Sequence, residues 1–220
     1  MSEEKQNLEP RARVVEAAEA IIRSEGLDRL TMRHLAQTAN VALKTPYNLF
    51  GSKTGVLIEI LDQTSLALMQ EIDTEDHRSK IIALIRTLDK LSDFFGRDET
   101  YFRGIFWEIM ISNHAEARSA AHDRINAIAI FRVSEARLTG ELRADIDPNV
   151  LGEQLGMNLL ANMGLWAGGH GSIQETMAQT RAVWASLIHF AVADEGRPFI
   201  DEVLAATRLL PGQPGVKIKP

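Results

Sequence analysis

The chain has 220 residues, no cysteine and a formal net charge of −6. Without cysteine there are no disulfides, thiolate-bound zinc or cysteine nucleophiles, and 45% hydrophobic with 25% charged residues excludes a disordered chain. The longest stretch without a charged residue, 154–174, contains five glycines and makes a poor membrane span. Residues 1–10 are polar and acidic, unlike a signal peptide, so we expect a cytoplasmic protein.

The charge is divided unevenly along the chain. Residues 11–53 contain seven Lys and Arg against four Asp and Glu, whereas residues 54–220 contain sixteen against twenty-three. A basic head on an acidic body indicates that the head alone meets a polyanion such as nucleic acid.

Apolar residues recur three and four positions apart almost everywhere, which predicts an all-α fold without strands. In the first fifty residues this spacing predicts a helix that ends at Gly26, a short helix capped by Thr31, and a third helix from about Ala42 to Phe50. Asn40 lies between the last two helices, where a turn can use a left-handed residue. Ser52 is placed to cap a long fourth helix.

The charged stretch 73–80 is the expected boundary between a head and a body. Further helices are predicted at about 81–95, 101–111 and 115–138, then from Asp147-Pro148 to the glycines at 168–171, from Ser172 to about 193, and from Pro198 to Pro211. The predicted domains are a tail at 1–10, a head at 11–73, a body at 74–210 and a tail at 211–220.

The eighth and ninth helices favour a homodimer. The ninth is apolar on its flanks as well, at Val183, Phe190 and Val192, so it needs burial on two sides. A partner subunit is the simplest cover, although a large monomer core that uses both faces is the alternative. Gly152, Gly156 and Ala161 would permit close approach of backbones. The predicted interface residues are Leu155, Leu159, Met163, Met177, Trp184, Leu187, Ile188 and Ala191.

Residues 31–50 have the form helix, short turn, helix, with small residues at the contacts, and such a unit projects its second helix toward a DNA major groove. Its first side chains offer a cation, hydroxyls and an amide to phosphates and base edges. The predicted DNA-contacting residues are Thr31, Arg33, Ala42, Leu43, Lys44, Thr45, Tyr47, Asn48 and Lys53. Alternatively, Tyr47 is a half-buried core aromatic, and Lys44 and Lys53 are solvated surface lysines.

The runs Thr31-Met32-Arg33-His34-Leu35-Ala36, Ala39-Asn40-Val41 and Thr45-Pro46-Tyr47-Asn48-Leu49-Phe50-Gly51-Ser52-Lys53 resemble the DNA-binding domain of TetR-type transcriptional repressors, over about residues 11–61. The resemblance implies an all-α dimer whose head binds an operator and whose body binds a small effector and dimerises through its last two long helices. It also implies that Lys44 and Thr45 face DNA, and that Tyr47 and Lys53 hold phosphates.

This sequence departs from the family pattern at four positions of the head. Ala42 stands where a Ser cap is common, Lys44 and Asn40 replace glycines, and Pro46 lies inside the third helix, where the first turn tolerates the lost N–H. The departures leave DNA binding expected and put the base preference in doubt.

The body is rich in aromatic and methionine side chains, most of which we expect in its core. Phe106, Met110, Asn162 and Trp166 are the residues predicted to line an effector pocket. No metal-ligand spacing, cofactor fingerprint or nucleophile motif is present, so no metal, cofactor or enzyme activity is expected. The predicted function is a ligand-responsive dimeric repressor, released from a pseudo-palindromic operator by a small, largely apolar effector. An adaptor with a non-functional head and, less so, an all-α enzyme are the alternatives.

Overall fold

The computed structural model describes residues 9–73, 79–111, 115–194 and 197–208, and within them the predicted all-α class is confirmed. These ranges contain ten α-helices, a 3-10 turn at Leu27–Arg29, and no strand beyond one isolated bridge between Leu142 and Val192. The helices are α1 Pro10–Glu25, α2 Met32–Thr38, α3 Lys44–Phe50, α4 Lys53–Asp73, α5 Lys80–Gly96, α6 Glu99–Ile111, α7 Ala115–Leu138, α8 Pro148–Ala167, α9 Ile173–Ala191 and α10 Arg197–Arg208.

The head is formed by α1, α2, α3 and the first turns of α4, which bury one shared set of apolar side chains. Val14, Leu35 and Ile60, from three different helices, have no exposed surface. The Thr31 hydroxyl accepts the His34 N–H at 3.1 Å and caps α2 as predicted, and Asn40 has the expected positive φ of 51°. These local features fix the angle at which α3 leaves the head.

The start of α3 differs from the prediction, because the helix begins at Lys44 and not at about Ala42. Leu43 is the N-cap residue and offers no side-chain hydrogen bond, while the Ala42 carbonyl accepts the Thr45 N–H at 2.8 Å in a tighter turn. At the other end, Gly51 terminates α3 with φ 72°, and the Ser52 hydroxyl accepts the Gly55 N–H at 3.1 Å, so α4 has its predicted cap.

In the body, α8 lies directly against α7. A Cβ added at Gly152 would come within 2.5 Å of the Ile130 Cα, and one at Gly156 would collide with Asn126. The prediction that these glycines admit a partner's backbone is therefore wrong, because the chain's own α7 occupies that space. The helices pack closely enough here to exclude any larger side chain.

Two carboxylates join the ends of body helices. Glu141 accepts the Lys80 and Ile81 N–H groups at 2.7 and 3.1 Å and the Ser79 hydroxyl at 2.5 Å, at the N-terminus of α5. Glu99, in the first turn of α6, accepts the Trp166 Nε1–H at 2.9 Å and the Ile173 N–H at 3.2 Å. Burial disfavours both charges, but these hydrogen bonds outweigh it and lower the pKa of Glu99 and of Glu141.

The expected head–body boundary falls in a stretch that is only partly described, since α4 ends at Asp73, α5 begins at Lys80, and residues 74–78 lie outside the described ranges. Most of the predicted N-terminal tail and all of the C-terminal tail lie outside them too. No described helix is both long and apolar enough to span a bilayer.

Candidate DNA-binding face and ligand cavity

The outer face of α3 and the turn before it is exposed. Pro46 is buried beneath α3, whereas Leu43 and Tyr47 are 52% and 49% exposed and Lys44 and Asn48 are also exposed. Ala42 is exposed beside them and Thr45 is half-buried. The head core therefore holds α3 by one side only, and the cation, amide and phenol project together from the other.

On α2, the predicted DNA contacts flank this face. Arg33 is exposed, and Thr31 is exposed while its hydroxyl serves as the cap. His34 is turned toward its own loop, with Nδ1 3.2 Å from the Arg29 carbonyl oxygen and Nε2 3.5 Å from Glu25. Arg33 is thus the α2 cation that faces solvent beside α3.

The Lys53 ammonium has two oxygen partners within the chain. Its Nζ donates to the Leu27 carbonyl at 3.1 Å and lies 3.8 Å from the Glu108 carboxylate of α6. These contacts link the loop after α1 to the body, and the phosphate contact of Lys53 stays a prediction. The sequence showed its place at a helix start but not these two oxygens, which are far away in the chain.

A second link between head and body is formed by α1 and α6. The Arg23 guanidinium lies over the Tyr101 ring, 3.9 Å from its centroid, and donates to Asp98 at 3.0 Å. The Tyr101 hydroxyl donates to Glu19 at 3.2 Å, and burial raises the pKa of this phenol. This contact between an exposed guanidinium and a buried ring holds the end of α1 against the start of α6.

The body contains a cavity of about 140 Å³ that is bounded by α4, α5, α6, α7, α8 and α9. Its polar lining residues are Ser65, Thr87, Arg124 and Arg132. The apolar lining consists of Leu68, Leu84, Leu91, Phe95, Phe106, Ile125, Ile128, Ala129, Gly156, Leu159, Met163 and Trp184. A concave, largely apolar space with a few polar groups at its edge is typical of a small-molecule site.

Among the four residues predicted to line a pocket, Phe106 lies in this wall and the others do not. Trp166 is fully buried and its N–H is bound by Glu99, Asn162 donates to the Thr180 hydroxyl at 2.9 Å, and Met110 lies outside the lining. For these three residues the effector pocket stays a prediction, since the apolar spacing of Met110 and Trp166 describes a core equally well. A signal that was missed is the Arg124/Arg132 pair, which interrupts an apolar stretch of α7.

The predicted dimer residues are largely part of the chain's own core. Leu155, Met163, Met177, Trp184, Ile188 and Ala191 are each at most 3% exposed, and Leu159 and Leu187 are half-buried. The six buried residues pack into the chain's own core, whereas Leu159 and Leu187 keep part of their surface exposed. The outer faces of α8 and α9 carry other apolar side chains that are exposed: Val150, Met157, Leu165, Val183 and Phe190.

In the part of the chain that the structure describes, no three His, Asp or Glu side chains are close enough to hold a metal ion. Two of the acidic and histidine residues of α6 and α7 have partners of other kinds. Glu108 faces Lys53, and His122 Nε2 lies 2.9 Å from the Asn126 amide nitrogen.

The exposed α3 follows α2 after a short turn on a helical head, which is the arrangement of a helix-turn-helix unit, and the head is joined to a helical body that contains a cavity. Residues 14–60 match the family model of bacterial regulatory proteins, tetR family. The match covers the head and not the body, and the fold of the whole chain is similar to that of solved TetR-family proteins.

Solved structures with this fold come from several bacteria. Thermus thermophilus FadR, a TetR-family repressor solved with lauroyl-CoA, has a TM-score of 0.68 at 19% identity, over 79% of this chain and 92% of that one. SmeT, the repressor of a Stenotrophomonas maltophilia multidrug efflux pump, has a TM-score of 0.64 at 20% identity, over 86% and 93%. TylP of Streptomyces fradiae has a TM-score of 0.62 at 18% identity, over 94% and 98%. No curated protein sequence matches the chain.

Proposed function

We propose that the chain is a dimeric repressor whose head, residues 11–73, binds a pseudo-palindromic operator, and whose body, residues 74–210, releases it when a small, largely apolar effector binds. The observation that carries the proposal is the exposed face at residues 42–48 on a packed three-helix head. FadR and SmeT, whose folds are similar, are described as repressors, and FadR was solved with an acyl-CoA.

The chemistry of the head suits DNA. Lys44 and Arg33 supply positive charge to phosphates, while Thr45, Tyr47 and Asn48 supply hydrogen-bonding groups to phosphates and base edges. Leu43 and Ala42 add apolar contact of the kind that thymine methyl groups accept. The chain after residue 53 is acidic, with a balance of −7 over residues 54–220, so it is repelled by the polyanion and favours binding through residues 11–53.

The exposed apolar side chains of α8 and α9 support a two-fold dimer. Phe190 and Val183 of α9 are 74% and 40% exposed, and Leu165 of α8 is 55% exposed. Large exposed apolar groups of this kind mark association sites. Two heads in such a dimer read half-sites about one helical turn, or roughly 34 Å, or a multiple apart.

Release of DNA follows from linkage between the cavity and the head. α4 contributes Ser65 and Leu68 to the cavity, and the same helix begins in the head core at Val56, Leu57 and Ile60. A ligand that binds better when α4 is displaced must weaken operator binding by the same factor.

The test is selection of bound fragments from the source genome by the full-length protein, at about 50 and 200 mM salt. Lys44→Ala/Tyr47→Ala is the test variant, and Lys90→Ala, which removes a positive charge from α5, is the matched control. We expect one enriched pseudo-palindrome that salt weakens, that the double variant loses and that the control retains. Failure to enrich any sequence, or binding without a salt dependence, would favour the adaptor.

A further inference from the structure

The cavity supplies almost no hydrogen-bond donors to a ligand along most of its described wall. The Ser65 hydroxyl donates to the Leu61 carbonyl at 2.7 Å, and the Thr87 hydroxyl donates to the Ala83 carbonyl at 3.0 Å. The Trp184 Nε1–H is bound to the Leu155 carbonyl at 3.1 Å. Because these donors already have partners, polar groups on a ligand body would lose their water without compensation. The part of a ligand that fills this space is therefore apolar.

The size of the cavity limits that apolar part. Its volume of about 140 Å³ is close to the roughly 150 Å³ of an apolar protein cavity known to hold benzene. A single ring, or a short alkyl chain of similar volume, fits without rearrangement.

The two arginines at the edge differ in what they hold. Arg132 pairs with Glu135 of its own helix at 3.1 Å. Arg124 pairs instead with Asp62 of α4, and the two side chains are 42% and 38% exposed. An ion pair this exposed is only weakly stabilising, whereas an arginine fork binds a well-placed carboxylate in two parallel hydrogen bonds. Arg124 is thus the arginine whose partner a ligand can replace and whose release affects α4.

We propose that the effector is a carboxylate with an apolar body of about one ring, and that its carboxylate replaces Asp62 on Arg124. This inference rests on the proposed function, since it names the effector class of the cavity. When the ligand takes Arg124, α4 loses its ion pair to α7 and gains an apolar contact at Leu68 instead. The same exchange that binds the acid frees the helix that carries the head.

The experiment compares 3-phenylpropanoate with its neutral amide, 3-phenylpropanamide, by calorimetry and by fluorescence of the tryptophans, one of which, Trp184, lines the cavity. Wild-type protein is expected to bind the acid at least about tenfold more tightly than the amide. Arg124→Gln abolishes that difference, and Arg132→Gln, the matched control, keeps it. Asp62→Asn removes the competing carboxylate and raises the affinity for the acid several-fold, with no change for the amide.

Equal affinity for acid and amide, preference that survives Arg124→Gln, or no binding of either probe at millimolar concentration would each overturn the inference. Operator binding by every variant is measured without probe, so the two proposals fail separately. If a neutral compound releases the operator while the acid does not bind, the proposed repressor function is supported and the proposed carboxylate effector is rejected. If no operator is found, the repressor fails whatever the cavity binds.

Discussion

The head and the body of this chain are both built from helices, but they place their polar and charged side chains differently. The head uses helices of seven residues, α2 and α3, and directs polar side chains outward from a small core. The body uses helices of up to 24 residues and keeps its chemistry inside, with two arginines at the edge of an apolar cavity. DNA, a rigid polymer outside the protein, is contacted by an exposed surface, whereas a small ligand is contacted by the walls of a cavity. Under the proposed function, the contacts that join head and body therefore connect effector binding to DNA binding.

The largest expected effect tests whether the head acts without the body's outer face. Phe190→Glu places a charge on the most exposed apolar side chain of the proposed interface, and loss of the dimer removes the avidity of two linked heads. We expect a monomer by sedimentation and operator affinity lower by at least about 100-fold. Leu138→Glu, at an 87% exposed leucine on α7, is the control and should remain dimeric. If the Phe190→Glu protein is still a dimer, this face of α9 is not part of the interface.

A second change tests whether the body depends on close helix packing. Gly152→Ala forces a methyl group against the Ile130 backbone, which cannot yield easily, and should reduce the free energy of unfolding by about 1–3 kcal/mol. Gly164→Ala, on the same helix with open space around the new Cβ, should stabilise by up to about 1 kcal/mol. Chemical denaturation of both variants measures the contrast. Equal changes in the free energy of unfolding for the two variants would mean that α7 and α8 are not closely packed at Gly152.

The sequence predicted the local structure of the head better than the packing of the body. Thr31 and Asn40 act through neighbours within a few positions, so their cap and turn could be predicted from local spacing. The role of Gly152 depends on Ile130, and that of Trp166 depends on Glu99, 67 positions away. Periodicity identified α9 as apolar on more than one side, but it could not tell which face meets the chain's own core.

The third prediction belongs to the head alone. Lys44→Ala removes one exposed cation from the proposed DNA face without affecting the core. Operator affinity should fall about tenfold, and the slope of log affinity against log salt should fall by about 1, if Lys44 neutralises one phosphate. Fluorescence anisotropy at four salt concentrations gives both values. A lower affinity with an unchanged slope would assign Lys44 to a base edge.

The fourth prediction uses pH to probe the body. Glu141 has a lowered pKa in the folded protein, so its contribution to stability is present above its ordinary pKa of about 4.3 and is lost as pH falls through the lower, folded value. Glu141→Gln should lower Tm by about 2–4 °C at pH 7, because a charged cap at the α5 N-terminus is lost. The difference should shrink toward pH 3. A constant difference across that range would mean that packing, and not charge, is responsible.

The smallest expected effect concerns the contacts between head and body, and it tests most directly whether these contacts connect the two parts. If Lys53 holds a phosphate, Lys53→Ala lowers the salt slope by about 1, as Lys44→Ala does. The Lys53 ammonium contacts the Leu27 carbonyl and Glu108. We therefore expect the salt slope of operator binding to stay unchanged, while release of the operator by the effector weakens several-fold. Glu108→Gln, which cannot touch DNA from α6, should reproduce the weakened release. A shared phenotype of Lys53→Ala and Glu108→Gln, with full operator affinity in both, would place this ion pair in the path from cavity to head. A reduced slope for Lys53→Ala alone would return Lys53 to the DNA-binding face and leave Arg23 and Tyr101 as the described link between α1 and α6.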